Sequence, residues 1–431
     1  MHKPATCTSR AICYNGYIRS SVAKREGKQK MGYLKTASEK KQLCFTYLAF
    51  MLNGVLALSI GSLLPFIRET KGLNYAFAGM LVSLHSVGNL CSSFASGTFA
   101  VFLGRKKSIL LFDACYALSY VLILFGNSNA ALVIAFLMTG LARGASSNFA
   151  NYTVNSLAPG KAGFLNALHA MFSIGALAFP VFLMLLTRTD AGRWVYACYF
   201  MIAMGILSWI LYFLIPEDKC HTDAKAEKEA DSGKKSDFTA AGFGFFREPL
   251  FYLCTLILFF YLCAEQGVIG WLITYFEDTG LLNDSLSQLM ASIHWVMMLA
   301  GRLTAAKLSE KFRKEKLLLI MGIGFVCFFF WLLFAESTLF IIIGIMGFGY
   351  SMAGIYPTTV SFCGSLIQKY SIAWSFILTI ASFGSILMPA IIGRLAESRG
   401  LAYGMSSVIV VVIIDLLLIV ALNFYVKQKS R

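Results

Sequence analysis

Long apolar runs separated by short polar segments recur along the chain after residue 41. A run of about 18 or more apolar residues is long enough for a helix that crosses a bilayer. The short alternating segments of a membrane β-barrel do not occur in this pattern. We therefore predict an all-α polytopic membrane protein with twelve transmembrane helices. The predicted spans are residues 42–66, 75–102, 108–126, 130–157, 162–187, 194–215, 249–276, 284–309, 315–335, 337–364, 369–393 and 401–426.

A polar segment, residues 216–248, separates the sixth span from the seventh and carries charges of both signs. Such a composition is typical of a soluble linker. The chain is therefore predicted to form two six-helix bundles, residues 42–215 and 249–426. A basic cytoplasmic extension, residues 1–41, precedes the first bundle, and a short cytoplasmic tail, residues 427–431, follows the second.

The extension is polar and lacks the apolar core of a signal peptide. We expect it to be disordered. Met31 begins a stretch that is more typical of a protein start, so residues 1–30 are interpreted as an upstream extension, and whether they belong to the native protein stays open.

Composition and charge placement agree with a membrane protein. The chain is 58% hydrophobic and 14% charged, whereas soluble chains carry about 25% charged residues. The net charge of +15 comes from Lys and Arg in the connecting segments, which places both termini in the cytoplasm of a cell-membrane protein and argues against nucleic-acid binding. The eleven cysteines have no metal-binding spacing, so neither a metal nor another cofactor is predicted.

Four charged residues lie deep within spans: Asp113, Arg143, Glu265 and Asp415. Such charges are costly in a bilayer and are functional candidates. The sequence leaves three roles open for Arg143 and Glu265: a charge-neutral pair between the two halves, binding of substrate hydroxyls or a proton by Glu265, or a static ion pair that holds the halves in register. Asp113 is expected to form a structural salt bridge with the lysines before it, and Asp415 has no assigned role.

Two short basic loops occupy equivalent places in the two halves, GTFAVFLGRKKS (97–108) and AKLSEKFRKEK (306–316). Both resemble the signature loop of the major facilitator superfamily, in which these loops latch the cytoplasmic side. Val101 and Phe102 replace an acid and an Arg of that pattern, which weakens the first latch. The residues that match are Gly97, Gly104, Arg105 and Lys106 in the first copy and Glu310 and Lys311 in the second.

Three further regions resemble the fucose–galactose–glucose:proton symporter branch: residues 151–180, residues 349–362, and residues 263–276 with 292–302. Within that branch the chain resembles bacterial glucose/mannose permeases most, in AGIYP…SLIQKY (353–370) and ASFG (381–384). The resemblance covers residues 42–426. It implies a monomer in which spans one, four, seven and ten line a central cavity. Gly61 and Ser147 stand where that branch has its coupling acids. Either Glu265 alone couples transport to protons, or the protein is a uniporter or exchanger.

Amide, hydroxyl, imidazole and aromatic side chains on the spans are the substrate-binding candidates. Polar groups of this kind set specificity and aromatic rings cover the faces of a sugar, although each residue alone also fits ordinary helix packing. As a set they predict a monosaccharide or related polyol as partner. The candidates are Asn53, Ser147, Asn148, Asn151, Asn166, His169, Gln266, Trp271, Trp295, Tyr350 and Tyr356.

The predicted function is secondary active transport of a small neutral solute by alternating access. A facilitative sugar uniporter or exchanger and a drug or metabolite efflux transporter are the alternatives. A non-transporting sensor would need a long soluble signalling domain. An enzyme is not predicted, because the sequence has no Walker loop, HExxH or GxSxG motif.

Overall fold

The computed structural model of the protein describes residues 36–158, 162–215, 240–309, 311–370 and 373–429. The predicted extension up to residue 35 and the linker residues 216–239 lie outside this part of the chain.

The described residues form helices throughout, in an order that follows the twelve predicted spans. Spans ten and twelve are each interrupted, so each consists of two helices. The bounds are α1 Ala37–Thr70, α2 Tyr75–Leu103, α3 Arg105–Phe125, α4 Asn129–Leu157, α5 Ala162–Thr187, α6 Trp194–Leu214, α7 Pro249–Asp278, α8 Asp284–Ser309, α9 Lys314–Leu333, α10a Thr338–Met352, α10b Ile355–Lys369, α11 Ala373–Arg399, α12a Leu401–Ser406 and α12b Val408–Lys429.

Polar residues at the helix starts explain several of these bounds. Thr36 and Glu39 form a reciprocal capping box at the start of α1. The side chains of Asn74, Ser128 and Ser337 accept backbone N–H bonds in the first turns of α2, α4 and α10a. These bonds satisfy donors that a helix start leaves without an intrahelical partner.

Eleven of the described spans are long and apolar enough to cross a membrane. The remaining long helix, α2, has 29 residues but carries His85, Ser86 and Asn89 in its middle turns. A span with polar residues at mid-depth needs a polar environment for them inside the protein. This composition places one face of α2 against a cavity or a polar neighbour.

Helix packing in the first half recurs six helices later in the second half. The pairs α2–α4, α1–α5 and α3–α6 correspond to α8–α10a, α7–α11 and α9–α12b. Between the halves, α2 packs on α11, α5 on α8 and α1 on α7. The internal repeat indicated by the two basic loops is thus visible in the packing, and a central space lies between the two sets of helices.

We call the end of the bundle at which α1 begins and α12b ends the terminal side, and the opposite end the distal side. Strong contacts join the halves on the distal side. Arg68 Nη2 lies 2.8 Å from Asp278 Oδ1, and the backbone N–H of Tyr75 donates to Glu397 at 2.9 Å. The amide of Gln288 donates to the carbonyl of Ser62 at 3.0 Å. The distal side is therefore closed.

Glycines allow the backbones of the two halves to touch on the distal side. A Cβ atom added to Gly61 in α1 would lie 2.6 Å from the carbonyl oxygen of Ile269 in α7. One added to Gly79 in α2 would lie 2.5 Å from the carbonyl oxygen of Pro389 in α11 and 3.1 Å from the Cα of Gly393. No other residue fits such an approach without separating the helices.

Candidate functional site

A cavity of about 270 Å³ lies between the halves, at mid-depth and towards the terminal side. Helices α2 and α4 line it from the first half, and α7, α8, α10b and α11 from the second. The resemblance implied a contribution from α1, but no lining residue comes from that helix; α2, α8 and α11 contribute instead. The lining residues are Ser86, Asn89, Arg143, Tyr261, Leu262, Glu265, Gln266, Arg302, Tyr356, Leu378, Ser382 and Ser385.

Close packing of α2 against α4 brings Arg143 to this cavity. A Cβ atom on Gly140 would lie 2.7 Å from the backbone nitrogen of Asn89 and 2.9 Å from the Cα of Gly88. Gly144, one turn further, contacts Asn89 and Ser92 in the same way. Small residues at this spacing let two helices approach backbone to backbone. Arg143, which lies between the two glycines of α4, is therefore held directly beside α2.

A chain of hydrogen bonds orients the guanidinium group of Arg143. The Thr139 hydroxyl donates to the carbonyl of Phe136 at 2.6 Å, so its oxygen is left as an acceptor for Nδ1–H of His85 at 2.8 Å. Nε2 of His85 then carries a lone pair and accepts from Nη1 of Arg143 at 3.2 Å. This network assigns His85 as a neutral imidazole with the proton on Nδ1.

Asn53 of α1 supports the same turn of α4. Its amide donates to the carbonyl of Arg143 at 3.3 Å and to the hydroxyl of Ser147 at 3.1 Å. Asn53 and Ser147, both predicted to bind substrate, therefore lie behind the arginine and hold its backbone, and neither lines the cavity.

Glu265 enters the cavity from the middle of α7, and its residue is only 8% exposed. The hydroxyl of Tyr261, one turn earlier, donates to its Oε1 at 3.2 Å, and the rings of Tyr261 and Tyr356 lie 5.8 Å apart. The charges of Arg302 and Arg143 both attract the carboxylate. Among the described residues neither arginine forms an ion pair with Glu265 within 4.0 Å.

The polar lining residues that were not predicted include Ser86, Asn89, Tyr261 and Arg302, and the reasons differ. Arg302 lies seven residues before the end of α8, where an arginine is easily read as an interfacial anchor of the helix end. His85, Ser86 and Asn89 lie on α2, which was not among the spans expected to line the cavity. The signal for this second group was present, since three polar residues within five positions are unusual at the centre of a span.

Two of the predicted binding residues, Gln266 and Tyr356, line the cavity with Glu265 and Arg143. Trp271 is instead fully buried between α7 and α11, where its indole N–H donates to the carbonyl of Pro389 at 3.0 Å. This position is one of helix packing, away from the cavity.

The other predicted binding residues also lie away from the cavity lining. The ring of Trp295 packs against Phe172 at 6.0 Å, and His169 packs edge-on against Phe50 at 5.7 Å. Tyr350 is 39% exposed on the outer surface of α10a. The side chain of Asn166 lies outside the described part of the structure.

Two side-chain amides of α4 form hydrogen bonds within the first half. Asn148 donates to the hydroxyl of Ser96 at 2.9 Å, at the wall of a second cavity of about 260 Å³ between α2, α3 and α4. Asn151 donates to the carbonyl of Ser147 in the preceding turn at 2.8 Å. Neither amide faces the central cavity.

The first basic loop is a tight turn at Gly104, whose φ of 81° is in the region that favours glycine. Arg105 lies over the ring of Tyr152 at 3.2 Å, and Gly97 borders the second cavity. Lys106 lies over the ring of Phe213 at 5.4 Å. In the second loop Lys311 is exposed, and Glu310 lies outside the described residues.

The expected salt bridge of Asp113 is not present in the described part of the chain, so that expectation was wrong. Asp113 is buried between α3 and α6 and accepts a hydrogen bond from the hydroxyl of Ser208 at 3.1 Å. Asp415 is fully buried in α12b, without a hydrogen-bond partner among the described residues.

Comparison with known proteins identifies the family of this fold. A family model described as Major Facilitator Superfamily matches residues 43–389. The chain belongs to the Major Facilitator Superfamily. It is a multi-pass membrane transporter rather than an enzyme, and the predicted fold class is confirmed.

Individual relatives of this superfamily member are distant. A curated "Protein TsgA homolog" from Yersinia pseudotuberculosis serotype O:1b (strain IP 31758) is 21% identical over 391 residues, which are 90% of this chain and 96% of that protein. Among solved structures, the nucleoside transporter NupG has a TM-score of 0.68 at 14% identity, covering 90% of this chain and 98% of that one. A D-xylose–proton symporter has a TM-score of 0.67 at 16% identity, with 88% and 96% covered. The narrower resemblance to the fucose–galactose–glucose branch stays a prediction.

Proposed function

We propose that the protein is a secondary transporter that moves a small hydroxylated solute, of the monosaccharide or polyol class, through the cavity between its halves by alternating access. One observation carries the proposal: charged and polar residues from both halves line a cavity that backbone contacts at Gly61 and Gly79 close on the distal side. A site between two repeated halves, open to one side at a time, is the arrangement that alternating access requires.

The lining supports a small polar solute. A volume of about 270 Å³ is near the lower end of the roughly 300–1,000 Å³ of small-molecule pockets. Seven of the twelve lining side chains carry a hydroxyl or an amide, which fits a ligand with several hydroxyl groups. Two transporters of similar fold act, by their names, on a nucleoside and on D-xylose. A lipophilic drug would meet few apolar side chains here.

Glu265 is the residue that we propose for coupling to protons. It is the acid among the cavity-lining residues, and two arginines from opposite halves attract its carboxylate. Arg143 belongs to the opposite half from Glu265, whereas Arg302 belongs to the same half. The distance from Glu265 to Arg143 therefore changes when the halves move, and this links the charge of Glu265 to the conformation. Uniport or exchange without protons is the alternative outcome of the test below.

Orientation in the cell membrane follows from the distribution of Lys and Arg. With both termini in the cytoplasm, the terminal side faces the cytoplasm and the closed distal side faces the exterior. We further propose that a monomer is the transporting unit, since one chain contains both halves and the complete cavity.

Uptake into proteoliposomes tests this function. The purified full-length protein is reconstituted, and accumulation and counterflow of labelled monosaccharides, polyols, sugar acids and nucleosides are measured with and without an imposed proton gradient. We expect saturable counterflow of at least one solute, and accumulation when the gradient is applied. Counterflow without gradient-driven accumulation would identify a uniporter or exchanger, whereas no movement of any solute would refute the proposal.

A further inference from the structure

The ionisable side chains that line the central cavity do not balance in charge. Arg143 and Arg302 contribute two positive charges, and Glu265 contributes one negative charge. His85, beside Arg143, is neutral because its Nε2 accepts a hydrogen bond from the guanidinium. The lining of the cavity therefore has a net charge of one positive unit when Glu265 is ionised.

The two arginines also have N–H donors that form no hydrogen bond with the described residues. A guanidinium has five N–H donors in a planar fork. Among the described residues Arg143 has one hydrogen-bond partner, His85, and Arg302 forms no hydrogen bond or ion pair. Most of these donors are thus left for a molecule inside the cavity.

A buried positive charge in a membrane protein is costly unless an anion neutralises it. Water that enters the cavity would solvate a guanidinium only in part. The group that suits a guanidinium fork is a planar carboxylate, which binds it through two parallel N–H···O bonds.

We propose that the transported solute is a monoanion, a small polyhydroxylated carboxylate whose acid group binds at Arg302 and Arg143 while its hydroxyl groups bind Glu265 and the neighbouring amides and hydroxyls. This inference rests on the transport function proposed above and names the solute class for the same cavity. While Glu265 is ionised, one carboxylate cancels the excess charge completely.

Charge and size separate this solute from other anions. A phosphate monoester carries about −1.5 to −2 charges at neutral pH and would leave the occupied cavity negative while Glu265 is ionised. A neutral sugar would leave both guanidinium groups without a charged partner. An acid of monosaccharide size satisfies the charge, and its hydroxyl groups fit the polar lining of a cavity of about 270 Å³.

Matched pairs of solutes that differ in charge test the inference. Proteoliposomes with the full-length protein are preloaded, and counterflow is measured for labelled glucose, gluconate, glucuronate and glucose 6-phosphate. We expect at least one of the two acids to exchange with a kcat/KM at least about tenfold above that of glucose, and no exchange of the phosphate ester.

Substitution of Arg302 tests whether this residue causes the preference for an acid over glucose. Arg302→Gln should abolish the preference for the acid over glucose, and Arg302→Lys should restore part of it through charge without the planar fork. Arg188→Gln, a matched change at an exposed arginine, should leave the preference unchanged. Size-exclusion profiles in detergent verify that each variant is folded.

The outcomes separate the two proposals. Transport of glucose with no transport of either acid would overturn the inference and leave the proposed function intact. An acid preference that persists in Arg302→Gln would also overturn it, since the binding of the anion would then lie elsewhere. Failure of every solute in every assay would refute the proposed function itself.

Discussion

The distal closure depends on Gly61, and a single methyl group there should open it. A Cβ atom at this position would lie 2.6 Å from the carbonyl oxygen of Ile269, about 0.8 Å closer than the 3.4 Å at which ordinary van der Waals contact begins. In Gly61→Ala, helices α1 and α7 must therefore separate on the distal side. Overpacking of a tight contact costs about 1–3 kcal/mol. That free energy corresponds to a shift of about 5- to 150-fold towards the state that is open on the distal side.

Hydrogen–deuterium exchange measured by mass spectrometry reports this shift without cysteine labelling, which eleven native cysteines would complicate. Peptides from the distal ends of α1 and α7 should exchange faster in Gly61→Ala, and peptides from the terminal ends should become more protected. The control is Gly364→Ala in α10b, where an added Cβ meets no atom within 4 Å. Equal exchange in Gly61→Ala and in the unmodified protein would refute the idea that this glycine limits opening.

Three further substitutions probe the cavity and its scaffold. Glu265→Gln should abolish proton-driven accumulation and leave counterflow measurable, with the exposed Glu336→Gln as control; unchanged accumulation would remove Glu265 from coupling. His85→Ala should remove the hydrogen bond that orients the guanidinium of Arg143 and lower the kcat of counterflow at least about tenfold, while the size-exclusion profile stays normal. An unchanged kcat would contradict an orienting role for His85. Trp271→Phe should lower the melting temperature in detergent, because the buried carbonyl of Pro389 loses its hydrogen-bond donor at a cost of about 1–3 kcal/mol. The KM for transport should stay unchanged, and a raised KM would instead place this residue at the substrate.

The helices follow from the sequence because each span is a long apolar run with polar ends. The seventh span was predicted at 249–276, and the helix is Pro249–Asp278. Pro249 is favoured in a first turn, where its missing N–H costs nothing. The first span was predicted at 42–66 but is longer, Ala37–Thr70, since the capping box at Thr36 and Glu39 extends the helix beyond the apolar segment.

The candidate site was less predictable, because an apolar run does not show which face of a helix meets which neighbour. Trp271 and Gln266 are five residues apart on α7, yet only Gln266 reaches the cavity while Trp271 packs on α11. Asn53 was predicted to bind substrate, but its side chain donates to the backbone carbonyl of Arg143. Such distinctions arise from contacts between helices far apart in sequence, which periodicity within one span does not record.

The hydrogen bond between His85 and Arg143 has a consequence for the stoichiometry of transport. An imidazole that accepts a bond from a guanidinium cannot also take up a proton without losing that bond, and arginine itself stays charged. Among the described lining residues Glu265 is then the carboxyl group that can bind and release a proton, and a cycle that uses it carries one proton. With a neutral solute that proton would move net charge and add about 2.3 kcal/mol of driving force per 100 mV. With a monoanion, the proton and the solute together would carry no net charge. The cycle would then be electroneutral, and the membrane potential would not change its driving force.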